Sequence, residues 1–275
     1  MVVLAALRSA LAGLARNPVL FAVAGVMALF QLPQLAAQAL EPLLASALSL
    51  VFSLASIVVV PFFQAGFIGM ADEAIDGHTR AGRFLAAGRE HFVSMLIAYV
   101  LLFAVLFVFW IVALVGGFVF FAFALGVDGP GLSNPAVVAT GVLLAAAVAL
   151  VYLGTLFFVQ FYGQAIVIDG RSPVDGFRRS VGLVRRNVVP TLGYSVLAGL
   201  LGATFGGAVA VASLFLSPRQ AEVLALPALS PGAAVAVGVV VVSALVSGFL
   251  LTFSVAFYRA IVANEGESGA AQAAD

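Results

Sequence analysis

The sequence predicts an all-α, polytopic membrane protein with six transmembrane helices and three cytoplasmic interfacial amphipathic helices. Composition is the first observation behind this. Hydrophobic residues fill 64% of the 275 positions and charged residues 9%, against about 45–50% and roughly 25% in soluble domains. Too few polar groups remain to cover a surface facing water. Second, six apolar stretches each reach the ~20 residues that a helix needs to cross about 30 Å of hydrocarbon. Third, the arginines fall almost wholly on one side of those stretches.

The stretches run over 19–40, 43–70, 92–125, 136–168, 191–216 and 233–263. The first follows Arg8 and Arg16, and Ala37-Gln38-Ala39 resembles a cleavage site. It is longer than the ~7–15 residues of a signal-peptide core, so it reads as a retained span. Glu41-Pro42 separates it from the second. Asp128-Gly129-Pro130-Gly131 and Asn134-Pro135 separate the third from the fourth, and Ser217-Pro218 and Pro231-Gly232 the fifth from the sixth. All are turn punctuation. The third stretch is long enough that it must tilt, begin below the interface, or bend near Gly116-Gly117. None alternates with the period of two that a membrane β-barrel needs. Small residues recur every fourth position at Gly141, Ala145 and Ala149, and at Ala198, Gly202, Gly206 and Ala210, a spacing that suits close helix packing within the bundle.

Six spans place both termini on one side. With them lie Arg8, Arg16, Arg80, Arg83, Arg89, Arg171, Arg178, Arg179, Arg185, Arg186 and Arg259, and only Arg219 lies opposite. Basic residues in short loops mark the cytoplasmic side. The expectation is a multi-pass protein of the cell (plasma) membrane with N- and C-termini cytoplasmic. All twelve basic residues are arginine, and no cysteine is present. Disulfides, thiol nucleophiles and thiolate metal sites are therefore excluded. Formal charge is zero, which with the lack of a recognition motif argues against a nucleic-acid partner.

A weak repeat underlies the arginines. Leu7-Arg8, Leu11, Leu14 and Arg16-Asn17 fall in register with Phe177-Arg178, Val181, Val184 and Arg186-Asn187. Gly77 with Phe84, and Arg89-Glu90-His91-Phe92-Val93, supply a middle copy. The chain divides into one transmembrane domain, 1–263, with units of about 1–71, 72–169 and 170–263, and a short polar tail, 264–275. Each unit is an amphipathic helix followed by a transmembrane hairpin. The third copy is cleanest. Ser172 suits an N-cap, Pro173 the first helical position, and Asp175 completes a capping box. Val174, Phe177, Val181, Val184 and Val188 share a face, and only Leu183 is out of place. Such a helix lies at the interface with its guanidinium groups at headgroup level.

Arg80, Arg83, Arg178, Arg179, Arg185 and Arg186 are the candidate contacts for anionic lipid headgroups, with topology and anchoring as the plainer reading. Gln31, Gln64, Tyr99, Gln160 and Gln164 are candidates for a polar path, with interhelical bonding as the plainer reading, since an amide in hydrocarbon needs partners. Gln34 and Gln38 belong to the same series. No charged residue sits in the middle of a span, which counts against ion coupling. His78 and His91 lack metal-ligand spacing, and Asp72, Glu73 and Asp76 read as a solvated patch. Neither a metal nor a cofactor is expected. No nucleophile elbow, phosphate loop or dinucleotide motif is found.

Tyr162 to Gly170, then Ser172-Pro173, Phe177-Arg178-Arg179-Ser180 and Arg186-Asn187, resemble the interfacial segment of uncharacterised six-span membrane proteins of haloarchaeal type. These are similar in style to the membrane domain attached to some glycerophosphodiester phosphodiesterases. The resemblance implies the six-span layout and brings no catalytic residues. The expected role is a non-enzymatic, membrane-embedded accessory or lipid-interacting component. Its partners would be membrane lipids, a second copy of the chain or another membrane protein. The alternative is a small transporter or channel. A membrane enzyme would need Asp72, Asp76 or Asp169 to converge beside the arginines.

Overall fold

The computed structural model describes residues 2–36, 41–125, 131, 133–216 and 231–272; for 31, 32, 34–36, 208–216, 231–236 and 267–272 only the backbone is described. Gln38, Asp128, Arg219 and Glu222 lie outside the described residues, as do the side chains of Gln31 and Gln34. The described residues form helices and no strand. Five helices are long and apolar enough to cross a membrane, or up to six if one bent pair counts as a span. The chain is an all-α multi-pass membrane protein.

α1 (Val2–Arg16) and α2 (Val19–Ala36) are that pair, bent by 89°. Pro18 breaks the run, since its ring disfavours helical backbone at Asn17 and it has no N–H to give. α3 (Pro42–Asp76) starts on a proline and ends at Gly77, and α4 (Ala81–Leu125) follows after four residues. α5 (Pro135–Val159) is capped by Asn134, whose side chain accepts from the Ala136 N–H at 2.9 Å. α6 (Tyr162–Val167), α7 (Pro173–Arg186), α8 (Val188–Leu216) and α9 (Pro231–Gln272) complete the described elements.

Two expectations change. The middle copy has no separate interfacial helix. Residues 81–92 are the first turns of α4, because nothing between Gly88 and Val93 breaks the helix as Pro18 does. At 45 residues, α4 is about 68 Å long, so it begins well outside the hydrocarbon and shows no break at Gly116-Gly117. The fourth stretch is interrupted at Gln160-Phe161, between α5 and α6. The polar tail is helical as far as Gln272, since no proline follows the last span and Glu265 is tied to α7, as described below.

Packing is dense at the arginine end. One buried cluster joins Leu14, Leu20, Phe63, Phe67, Met95 and Ile166. A second joins Ala6, Phe161, Leu183, Tyr194, Phe257 and Ile261. α3 and α4 approach closely there. A Cβ placed on Gly66 would lie 2.6 Å from the Phe84 carbonyl oxygen, and one on Gly88 would lie 2.9 Å from the Phe62 ring. Toward the other end the helices expose large side chains, among them Trp110, Phe118, Leu143 and Leu150. So large an apolar surface is stable only in lipid. Between α4 and α5 it includes a groove of about 730 Å³ lined by Trp110, Gly116, Phe120, Gly141, Ala145 and Tyr152. The small residues of α5 thus wall a groove, with the Phe120 ring lying over Gly141. On α8, Gly202 and Gly206 face open space, and Ala198 of the stripe packs against the core; the side chain of Ala210 lies outside the described residues.

Two asparagines hold the helix corners. Asn17 is buried, and its amide donates to the carbonyls of Gly13 at 2.9 Å, Ala74 at 3.3 Å and Gly77 at 2.9 Å. Its carbonyl accepts from the Thr79 N–H at 2.8 Å. One side chain thereby clamps the α1–α2 corner to the α3–α4 turn. Asn187 ends α7 in the same manner, donating to Leu183 O at 3.0 Å.

Candidate anion-binding site

The site is built from the turn before α7. Gly170 takes a left-handed backbone (φ 65°), which turns the chain after α6 and suits glycine. The Ser172 hydroxyl accepts from the Asp175 N–H at 3.3 Å and donates to the Asp175 carboxylate at 2.7 Å. Pro173 opens the helix. The Asp175 carboxyl is held below its usual value of 3.8, first by the Ser172 hydrogen bond and then by the charges of Arg178 and Arg171.

α7 buries Gly176, Ser180, Leu183 and Val184. This face is rotated from the valine stripe expected from spacing. Leu183, the apparent misfit, is fully buried, while Val174 and Val188 are exposed. The break at Gln160-Phe161 explains the difference. Ser180 fills it, donating to Phe158 O at 2.9 Å and accepting from the Phe161 N–H at 3.1 Å. Gly176 sits against α6, where a Cβ would lie 2.8 Å from Ile166 and 3.2 Å from Tyr162 O. Satisfying that freed backbone outweighs burying two more valines.

The opposite face carries a basin of about 310 Å³ lined by Arg171, Asp175, Arg178, Arg179, Gly182 and Arg186. Arg171 lies just before α7, and the other positions recur at helical spacing along it. Gly182 is the floor, with nothing within 4 Å of where a Cβ would be. Arg178 and Arg186 are open to solvent, their side chains 78% and 75% exposed. Arg178 pairs with Asp175 at 3.4 Å, an exposed contact that solvent screens. Arg179 is mostly covered, at 26% exposure, and has two acidic partners: Asp169 at 3.4 Å and Glu265 of α9 at 3.0 Å. Burial pulls its pKa down, and the Glu265 hydrogen bond and charge, together with Tyr258, more than offset that, so the net shift is upward. The Tyr258 hydroxyl donates to Asp169 at 2.7 Å. Arg186 reaches the other Glu265 oxygen only at 3.9 Å.

Of the expected headgroup contacts, Arg178, Arg179 and Arg186 come together in the basin. Arg185 is exposed outside it, as is Arg80. Arg83 is close enough to Asp72 for their charges to interact. Arg171, Gly182 and the counter-charges Asp169 and Glu265 complete the site; the periodic spacing of 171, 175, 178, 182 and 186 is the signal that could have found the first two. Asp72 and Asp76 are apart from it, both paired with Arg259, at 3.5 and 2.9 Å. Asp169 does reach an arginine, and its carboxylate is already shared by Tyr258 and Arg179. His91 lies 3.8 Å from Glu90, and no group of three or more metal-binding side chains is found among the described residues.

The described amides join helices in separate pairs. Gln64 accepts from the Tyr162 hydroxyl at 3.5 Å, Gln160 accepts from Ser195 at 3.2 Å, and Gln164 donates to Ser254 at 3.0 Å. Tyr99 is half-buried. Neither the groove nor the basin includes any of them.

Comparison with curated proteins and with solved structures finds no significant match. A family model does match, over residues 1–261, described as a domain of unknown function (DUF7847). Since that match spans nearly the whole bundle, α7 and its basin included, the chain belongs to the DUF7847 family.

Proposed function

We propose that this protein is a non-enzymatic, membrane-embedded component that binds anionic lipid headgroups through the α7 basin, on the cytoplasmic face of the plasma membrane. The observation that carries this reading is four guanidinium groups arranged around an open glycine floor. A phosphate in that basin can accept charge-assisted, two-pronged hydrogen bonds, which arginine forms better than lysine. The exposed positions of Arg178 and Arg186 suit an amphipathic segment at headgroup depth, as the positive-inside distribution expects. Carboxylates near the arginines are engaged in ion pairs, which supports a binding role over a catalytic one. Pairing of the glutamines across separate helix contacts weighs against the transporter reading.

Each arginine near an anionic surface contributes about 1 kcal/mol. Replacing Arg178, Arg179 and Arg186 together with glutamine should therefore weaken phosphatidylglycerol retention by about 3 kcal/mol, on the order of 100-fold. Gly182→Leu keeps every charge, favours the helix and fills the floor without a clash. It should also displace the lipid. Native mass spectrometry of the full chain measures both. Retention unchanged in both variants would overturn the proposal.

A further inference from the structure

Glu265 reaches two of the basin's arginines, Arg179 and Arg186, from α9. It stands near the end of α9, past the last apolar stretch, and bonds Arg179 through Oε2 at 3.0 Å. Its Oε1 is buried, accepts no hydrogen bond, and meets Arg186 only at 3.9 Å. A carboxylate oxygen shielded from water and left without a donor is costly. The contact is therefore closed but poorly satisfied. Arg179 loses little if it opens, because Asp169 remains at 3.4 Å on its Nε.

We propose that Glu265 is a tethered counter-anion for the basin, displaced when a phosphate group binds. Resting on the headgroup reading above, this adds its regulation. Arg179 and Arg186 belong both to the basin wall and to the Glu265 contact. A phosphate over Gly182 offers Arg186 the close oxygens that Glu265 does not, and it competes for the Nη1 of Arg179. Its arrival frees the cytoplasmic end of α9, and by linkage the closed contact weakens phosphate binding by the same factor. Loading of the basin is thereby reported at the C-terminal end of the chain.

The test uses the full chain in two settings: detergent with inorganic phosphate, and nanodiscs of phosphatidylglycerol compared with nanodiscs of phosphatidylcholine. Glu265→Gln keeps the size of the side chain and removes the competing charge. It should bind ~5-fold tighter or more. In the wild type, phosphate should speed amide hydrogen exchange over residues 262–272, and in Glu265→Gln that region should already exchange fast. Release in both settings supports the latch for phosphate from any source, and release only in phosphatidylglycerol nanodiscs supports it with lipid as the source. Equal binding by wild type and Glu265→Gln, with binding still lost in Arg178→Gln/Arg186→Gln, overturns the latch and leaves the basin standing. Wild-type binding by that double variant overturns both.

Discussion

At the scale of single residues, the two corner asparagines separate a local cap from a tertiary clamp. Asn17 satisfies the Thr79 N–H and three carbonyls, two of them on the α3–α4 corner, and Asn187 satisfies one carbonyl of its own helix. Orphaning a buried donor costs about 1–3 kcal/mol. Asn17→Ala should therefore destabilise the fold by at least that much, and Asn187→Ala by roughly 1 kcal/mol, the net worth of one hydrogen bond. Unfolding in a denaturing detergent titration measures the two, and equal losses would contradict the clamp. The sequence aligned these asparagines in register but held no sign that one reaches 62 residues ahead. Glu265 was hidden for the same reason. It sits in a polar tail with no periodicity, and its partners are 86 and 79 positions away. Pattern reading resolves neighbours on a helix face, and such contacts exist only once the hairpins pack.

At the scale of elements, α7 shows what local chemistry determines. Its N-cap, first-turn proline and C-terminal arginines were legible because each acts within one turn of helix. The buried face was not, because it depends on a backbone break in α5–α6 that no punctuating residue announces. The middle copy shows the converse: the repeat suggested a separate amphipathic helix, and without a breaker residues 81–92 are continuous with α4. The first and last copies share one corner bond, Asn17 donating to Gly13 O as Asn187 donates to Leu183 O. One cap can be tested directly. The Asp175 carboxyl is lowered chiefly by Ser172, so its charged form adds stability above the usual carboxylate pKa, and that contribution is lost as pH falls through the lowered folded value. Ser172→Ala should raise the Asp175 pKa toward 3.8 and move the loss to higher pH. A carboxyl-carbon NMR titration measures the shift, and an unmoved value would show that Arg178 and Arg171 act alone.

At the scale of the whole molecule, polarity along the bundle is the organising fact. Buried clusters, ion pairs and corner clamps gather where the arginines are, while α4 and α5 turn apolar side chains outward over most of their length. Hydropathy made that division legible, because a bilayer imposes it on composition more strongly than water imposes order on a soluble core. The same asymmetry predicts the orientation. Moving the basin's guanidinium groups across the hydrocarbon is costly, and positive loops are retained on the cytoplasmic side. The chain has no cysteine, so single cysteines report sidedness without background. Arg83→Cys and Arg178→Cys should resist a membrane-impermeant maleimide in intact cells and react after permeabilisation. Ser133→Cys, in the turn before α5 at the opposite end, should react in intact cells. Arg178→Cys tests position rather than the ion network, because Arg179 keeps both of its acidic partners in that variant. Labelling of positions 83 and 178 from outside, with position 133 protected, would invert the topology and place the basin on the outer leaflet, where the headgroup reading would have to be argued again from a different lipid composition.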